Sequence, residues 1–372
     1  MLGRAVLEHL INAQERVTCI VRASDKQSAT LRLRNVLRGI HTLPRNVDVL
    51  CADIAHDFSP TADQFWAQNV TYILLHVAAS TSFTDERLCE EVNVNGTRNV
   101  LEFASRLGVA HVCYVSSAYA GGTMHYMREV SLQETPFAER SFANPYERSK
   151  AVAERMVEDW CAEYQVRYSI HRPSIIVGSF VTGESTDVHR GLYGWAYLTY
   201  KYLHHAECQL SRLARAMCWH VSATTHLNLV PVEWVAQIVC SAVRLQCVGY
   251  YNLVHPKPPL VRTVVRTILH TQQFKPVRFR EVSGQAIMSV EPDQHRTVRA
   301  LVRALSRNLS PFNPYVQGVD RRFEREQAVS LCEHLQVSSA PRPCGEAVLR
   351  RMLGYGMHVW QAQEEQVLAR VS

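Results

Sequence analysis

Between Arg4 and Ile11 the apolar residues fall at helical spacing, and from Val17 to Val21 they run almost unbroken, as in a strand buried in a parallel sheet. The alternation then repeats. Ser28 to Ile40 is helical and Val47 to Cys51 a strand; Ala62 to Gln68 is helical and Tyr72 to His76 a strand. Asn93 to Leu107 is helical with Gly108 as its stop signal, and His111 to Ser116 is the next strand. After a loop of glycine and polar residues comes an amphipathic helix from Tyr146 to Tyr164, then the strand Tyr168 to His171, ended by Arg172-Pro173. Strands separated by helices are parallel βαβ units, so the expected fold class is α/β, a Rossmann-like doubly wound parallel sheet.

Beyond Gly178 the pattern changes. Aromatic residues at helical positions (Tyr193, Trp195, Tyr197, Tyr200, Tyr202) are followed by a return over Leu227 to Val243 and a strand at Tyr250 to Val254. From about Ser283 the chain is mostly helical, with breaks at Pro311, Pro314, Pro341 and Pro343. The expected organisation is therefore a dinucleotide-binding domain over 1–180, a smaller, mostly helical substrate lobe over 181–282 with segments returning to the sheet, and a helical extension over 283–372. That extension reads as a lid, a dimer surface or a partner-docking element, so a homodimer is among the assemblies it allows.

Composition narrows the classes. With 47% hydrophobic and 20% charged residues the chain has the balance of a packed globular protein. The net charge of +6 is spread out, and Arg299, Arg303 and Arg307 read as a solvated helix face, so no nucleic-acid partner is expected. Eleven scattered cysteines with no CxxC pair suggest neither a disulfide framework nor a zinc site, and no metal is expected. The longest apolar runs, such as Val70 to Ala79 and Val109 to Ala120, are too short for a bilayer, and no secretory segment opens the chain. A cytoplasmic protein without a membrane span is the expectation.

A dinucleotide site opens with a strand and a glycine turn, because only glycine lets the backbone approach a pyrophosphate at a helix N-terminus. Here the first element is already the helix, with Gly3 standing where the last glycine of that turn would be. This suggests a natural start further upstream or, failing that, weakened cofactor binding. About twenty residues on, where an acidic side chain would hold a ribose 2′-hydroxyl, the next strand ends in Arg22, which suits a 2′-phosphate; NADP (as NADPH) is expected over NAD. Asp53 and Ile54 follow the second strand, where a loop crosses the adenine edge, and His76-Val77-Ala78-Ala79 ends the third, where small residues permit close approach. His76 itself reads as packed.

The sharpest signal is Asn144-Pro145-Tyr146-Glu147-Arg148-Ser149-Lys150, which puts Tyr146 and Lys150 one turn apart on one face of a helix start. Hydride addition to a carbonyl needs a proton for the developing alkoxide, and a tyrosine donates it well only when a neighbouring cation stabilises its anion. The strand end Tyr114-Val115-Ser116-Ser117-Ala118-Tyr119 adds a hydroxyl for the same oxygen, completing a Ser/Tyr/Lys set.

Together these residues resemble the extended short-chain dehydrogenase/reductase superfamily, and within it the branch of thioester reductases and fatty acyl-CoA reductases with a male-sterility-type NAD(P)-binding domain. The likeness runs over roughly residues 1–255. It is carried by Leu2-Gly3-Arg4, Val21-Arg22-Ala23, Ala52-Asp53-Ile54, Val77-Ala78-Ala79, Asn93-Val94-Asn95-Gly96-Thr97, the Ser117 and Tyr146 segments above, and Arg172-Pro173-Ser174-Ile175-Ile176-Val177-Gly178. The resemblance implies that Ser117 polarises the carbonyl, Tyr146 donates the proton, and Lys150 holds the nicotinamide ribose while lowering the tyrosine pKa; Pro173 would line the nicotinamide pocket. It implies NADPH-dependent reduction of a small-molecule or carrier-bound acyl thioester, or a related carbonyl. Two alternatives stay open: a sugar-nucleotide epimerase or dehydratase, or hydroxysteroid-type dehydrogenase, of the same superfamily; and a non-catalytic NADP-binding relative. The aromatic lobe suits an apolar chain, although its rings are equally at home in a core.

Overall fold

The computed structural model describes residues 1–37, 42–134, 140–204, 217–274, 277–280, 286–290 and 296–371. In chain order its strands are β1 (Val17–Val21), β2 (Val47–Cys51), β3 (Ile73–His76), β4 (His111–Val115), β5 (Tyr126–Met127), β6 (Arg167–Pro173), β7 (Ile175–Val177), β8 (Met217–His220), β9 (Leu229–Pro231), β10 (Gly249–Leu253), β11 (Arg278–Arg280), β12 (Met288–Val290) and β13 (Arg322–Phe323). The helices are α1 (Leu2–Asn12), α2 (Lys26–Val36), α3 (Glu86–Cys89), α4 (Gly96–Leu107), α5 (Pro145–Tyr164), α6 (Gly191–His204), α7 (Val232–Arg244), α8 (Val261–Thr271), α9 (Arg296–Leu309), α10 (Asn313–Val316), α11 (Glu326–His334) and α12 (Glu346–Val371). They form two compact units between which the chain passes repeatedly. Unit 1 is Met1–Ser174, Val232–Val254 and Phe323–Ala340; unit 2 is Ile175–Pro231, His255–Arg322 and Pro341–Ser372.

Unit 1 carries the parallel strands. β1 and β2 pair in register from Val17↔Val47 to Val21↔Cys51, and β3, β4, β6 and β10 form a second sheet in the order β10-β6-β4-β3. The doubly wound pattern is thus present as two parallel sheets. In a continuous doubly wound sheet one further strand would join β1 to β3, and none does so among the described residues. The two pieces nevertheless share one core, in which Leu50 and Ile20 pack with Val100, Ala104, Tyr114, Val157 and Ile170. β4 is buried along its whole length, as expected of a strand covered on both faces.

Several elements differ from the expectation in instructive ways. The helix expected around Ala62 to Gln68 is a 3₁₀ turn, Ser59–Gln64, opened by Pro60 and by Asp57 Oδ1 accepting the Ser59 N–H at 2.8 Å. α2 begins at Lys26 because the Asp25 carboxylate caps the Ser28 N–H at 2.7 Å; the expected end at Ile40 lies outside the described residues. The helix expected from Asn93 begins earlier, as α3, and passes through a π turn, Glu90–Asn95, before α4. Gly108 ends α4 in the left-handed region, φ +69°, which glycine adopts without cost.

Unit 2 contains a short parallel pair, β7 with β9, and a three-stranded sheet, β11-β8-β12, that sequence pattern did not suggest. Its strands are three or four residues long, too short to show a period, and β8 is buried throughout. The aromatic helix α6 is largely core: Tyr193, Trp195 and Tyr200 are buried, Trp195 lies 5.6 Å from Trp219, and Tyr200 lies 5.6 Å from Trp360 of α12. Gly178 is required where the chain turns toward α6. A Cβ there would stand 2.3 Å from the Glu184 carbonyl oxygen, and its N–H donates to the Tyr193 hydroxyl at 3.1 Å.

Candidate active site

α5 starts where it does because Asn144 Oδ1 accepts the Glu147 N–H at 3.0 Å, Glu147 Oε2 reaches back to the Ala143 N–H at 3.0 Å, and Pro145 presets the first helical residue. This reciprocal cap fixes the first turn and with it Tyr146, while Lys150 follows one turn later in the interior, 2% exposed. Ser117 caps the turn after β4, its Oγ accepting the Tyr119 N–H at 3.2 Å. The Ser117 hydroxyl is the neighbour that favours the Tyr146 phenolate. The structure therefore brings Ser117, Tyr146 and Lys150 into one cluster at the carboxyl end of β4.

The electrostatics of the cluster follow from its enclosure. Burial of its hydroxyl end pushes the Tyr146 phenol up to about 12, with Ser117 pulling the other way. Burial pulls the Lys150 amine down to about 7, against the raising influence of the Glu154 carboxylate. Lys150 Nζ donates to the Val115 carbonyl at 2.6 Å and sits 4.3 Å from the centroid of the Tyr114 ring. His76, at the end of β3, is buried and bonded through Nε2 to Thr97 Oγ1 at 3.0 Å; desolvation first, and Lys150 second, drive it down to about 3, so its ring is neutral.

Asn93 and Glu154 went unread in the sequence. The π turn aims Asn93 at the loop after β3, where Oδ1 accepts the Ser80 N–H at 2.7 Å and Nδ2 donates to the Ser80 carbonyl at 2.9 Å and to Ser149 Oγ at 2.8 Å. One amide thereby ties the β3 loop to α5 beside Tyr146. The available signal was its place in Asn93-Val94-Asn95-Gly96-Thr97, which helical periodicity does not single out. Glu154 could have been suspected from its spacing of four from Lys150.

The residues expected to hold a dinucleotide lie at the carboxyl ends of β1, β2, β3 and β6 and at the start of α1. Gly3 is exposed in the first turn of the eleven-residue α1, with no neighbour within 4 Å of where a Cβ would be. Arg22 is exposed just after β1, and its carbonyl accepts from Arg32 Nη1 at 2.7 Å, which brings a second guanidinium to that strand end. Asp53 forms a turn by accepting the Ala55 N–H at 3.1 Å, and the Ile54 carbonyl is held by Asn99 Nδ2 at 2.8 Å, with the Ile54 side chain against Gly96. Ala78 is exposed and Ala79 half-buried after β3; Pro173 is buried at the end of β6, opposite Leu253 of β10. A helix N-terminus and two guanidiniums, with small side chains that allow close approach at parallel strand ends, are a set of groups that fits a dinucleotide.

Parallel strands with this Ser/Tyr/Lys cluster at their carboxyl edge define a Rossmann-type short-chain dehydrogenase/reductase of the extended kind, an oxidoreductase or epimerase that uses a nicotinamide cofactor. More particularly, the NAD-binding family model described as male sterility protein matches residues 1–239, and the chain belongs to that family. Among curated proteins it is similar to an N-acetyl-α-D-glucosaminyl-diphospho-ditrans,octacis-undecaprenol 4-epimerase of Escherichia coli O157:H7, 30% identical over 118 residues. That match spans 31% of this chain and about a third (34%) of the relative. Among solved structures it is similar to the terminal R domain of the myxalamid PKS-NRPS biosynthetic pathway, at TM-score 0.69 and 20% identity, with 96% of this chain and 88% of that one covered. It is also similar to a thiolation-reductase di-domain from an archaeal non-ribosomal peptide synthetase (TM-score 0.67, 15% identity, coverage 95% and 72%). A further similar structure is the UDP-glucose 4-epimerase of Thermus thermophilus in complex with NAD (TM-score 0.56, 16% identity, coverage 96% of both chains). At these identities the structures speak for the fold. No helix of the described residues is long and apolar enough to cross a membrane.

Proposed function

We propose that the protein is an NADPH-dependent reductase of an acyl thioester or a related carbonyl. The observation that carries this reading is the cluster at the end of β4, where the Ser117 hydroxyl favours the Tyr146 phenolate and the buried Lys150 amine, one turn along α5, donates to the Val115 carbonyl. When bound, the reduced nicotinamide supplies a hydride to the carbonyl carbon. The Ser117 hydroxyl polarises the carbonyl, and Tyr146 gives its proton to the oxygen as the negative charge develops there. Enclosure keeps the phenol protonated until that moment, and in this reading the Lys150 charge stabilises the phenolate left behind. From a thioester the resulting hemithioacetal loses its thiol to give an aldehyde.

In this reading Gly3 meets the pyrophosphate, Arg22 the 2′-phosphate, Asp53 and Ile54 the adenine edge, Ala78 and Ala79 the backbone-proximal face, and Pro173 the nicotinamide. Unit 2 serves as the substrate lobe, and the similarity to reductase domains of peptide and polyketide synthetases supports a carrier-bound or coenzyme A thioester. A second reading, sugar-nucleotide epimerisation, draws on the similarity to 4-epimerases. The test is Tyr146→Phe assayed for aldehyde formation from acyl-coenzyme A and NADPH. The variant keeps its fold and loses turnover by several orders of magnitude; undiminished turnover would remove Tyr146 from the chemistry.

A further inference from the structure

An ion pair lies one helical turn beyond Lys150. Glu154 and Arg172 are both 0% exposed. Arg172 Nε donates to Glu154 Oε1 at 3.1 Å and Oε2 at 3.2 Å, and Nη2 donates to Oε1 as well. Nη1 donates to the Arg128 carbonyl at 3.0 Å and Nη2 also to the Val130 carbonyl at 2.8 Å, and the guanidinium lies 5.1 Å from the Tyr250 ring centroid. Taking two charges out of water is costly, and a buried pair seldom adds net stability over an apolar pair of the same size. Its position gives it something else to do: Glu154 is four residues from Lys150, on the same face of α5.

The groups around Lys150 come from four elements. β3 presents the neutral His76; β4 presents the Tyr114 ring and the Val115 carbonyl; α5 presents Tyr146 and Glu154; and β6 presents Arg172, which holds Glu154. Around Glu154 itself stand Glu158 and Arg155 of α5, and Arg140. Of the groups acting on Lys150, Glu154 is the anion that opposes the desolvation of its ammonium.

We propose that Glu154 is a positioning residue that keeps the buried Lys150 amine charged, and that Arg172, by partly neutralising the carboxylate, sets how much of its field Lys150 feels. This deepens the reductase reading, on which its catalytic meaning rests. Its test does not use turnover, so the two fail separately.

The chain holds five lysines, few enough for carbon-13 labelling at the lysine ε-carbon to give separable signals, with that of Lys150 identified by its loss in Lys150→Arg. In the intact protein the Lys150 signal titrates with a midpoint near 7. In Glu154→Gln the midpoint falls by about one pH unit or more, a roughly tenfold loss of proton affinity, and Glu154→Asp restores part of it. In Arg172→Gln, where the carboxylate is no longer neutralised, the midpoint rises. A Lys150 midpoint unchanged in a Glu154→Gln protein with native near-UV circular dichroism would overturn the proposal. Should that variant not fold, Glu154→Asp decides by itself, since a midpoint identical to that of the intact protein contradicts the assignment.

Discussion

Acid should loosen unit 1 through its buried imidazoles. His111 and His171 share the Ser169 hydroxyl at 3.3 and 3.2 Å between β4 and β6, and His76 sits at the end of β3. Burial lowers all three from 6.5, to about 4 for His111 and about 3 for His76 and His171. Below pH 6.5 the unfolded chain therefore binds protons that the folded one refuses, so stability falls as pH falls. At about 1.4 kcal/mol per pH unit for each group, the three together cost about 6 kcal/mol at pH 5.

Two groups work in the opposite sense: Glu158, which burial raises, and Glu129, whose shift is the larger. Glu129 is buried, accepts the backbone N–H groups of Asn252, Gln327 and Ala328, and is raised to about 7, chiefly by desolvation. Protonation of Glu129 below pH 7 favours the folded state and returns about 3 kcal/mol by pH 5, and Glu158 adds to this, leaving a net loss of at most about 3 kcal/mol against a typical total of about 5–15 kcal/mol. Native-state hydrogen exchange of the core amides of Val112 and Ile170, corrected for intrinsic rates, reads this loss between pH 6.5 and 5. His171→Gln should flatten the slope, since it removes one of the excess protons bound by the unfolded chain. Stability that is flat or rising over this range would refute the reasoning.

Two substitutions separate cofactor contacts from scaffolding. Because nothing lies within 4 Å of a Gly3 Cβ, Gly3→Ala should leave the melting temperature unchanged or raise it, alanine being favoured in a helix by up to about 1 kcal/mol, yet weaken NADPH binding in a fluorescence titration. A lowered melting temperature with full affinity would make Gly3 structural. Asn93→Asp turns the donor facing the Ser80 carbonyl into an acceptor, so it should cost about 1–3 kcal/mol of stability, read as a lower melting temperature, and more at pH 8 than at pH 5; an unchanged melting temperature would sink the clamp.

β1 and β2 begin and end at the residues their apolar runs suggest, because each is a short apolar run set between helices, although Thr18 and Asp48 are exposed. The start of α5 was equally legible, since Asn144, Pro145 and Glu147 spell out a cap. The π turn before α4 was not, because periodicity arguments assume 3.6 residues per turn, and so the direction in which Asn93 points could not be read. β8, β11 and β12 were too short to show a period. The Glu154–Arg172 pair lay beyond local reading, because the pairing is made by the approach of β6 to α5. A return of the chain over Leu227 to Val254 was expected from the sequence, whereas that of Phe323–Ala340 to unit 1 was not, because its surroundings read only as helices broken by prolines.

The central claim, reduction of a thioester with Tyr146 as proton donor, is tested most directly by following deuterium from 4-deuterated NADPH into product by mass spectrometry, with a long-chain acyl-coenzyme A as substrate. Reduction gives an aldehyde carrying one deuterium, with NADPH consumed in step and no label transferred by Tyr146→Phe. Absence of labelled aldehyde, together with redox-neutral interconversion of a sugar nucleotide by the same preparation, would contradict the account and leave the epimerase reading in its place.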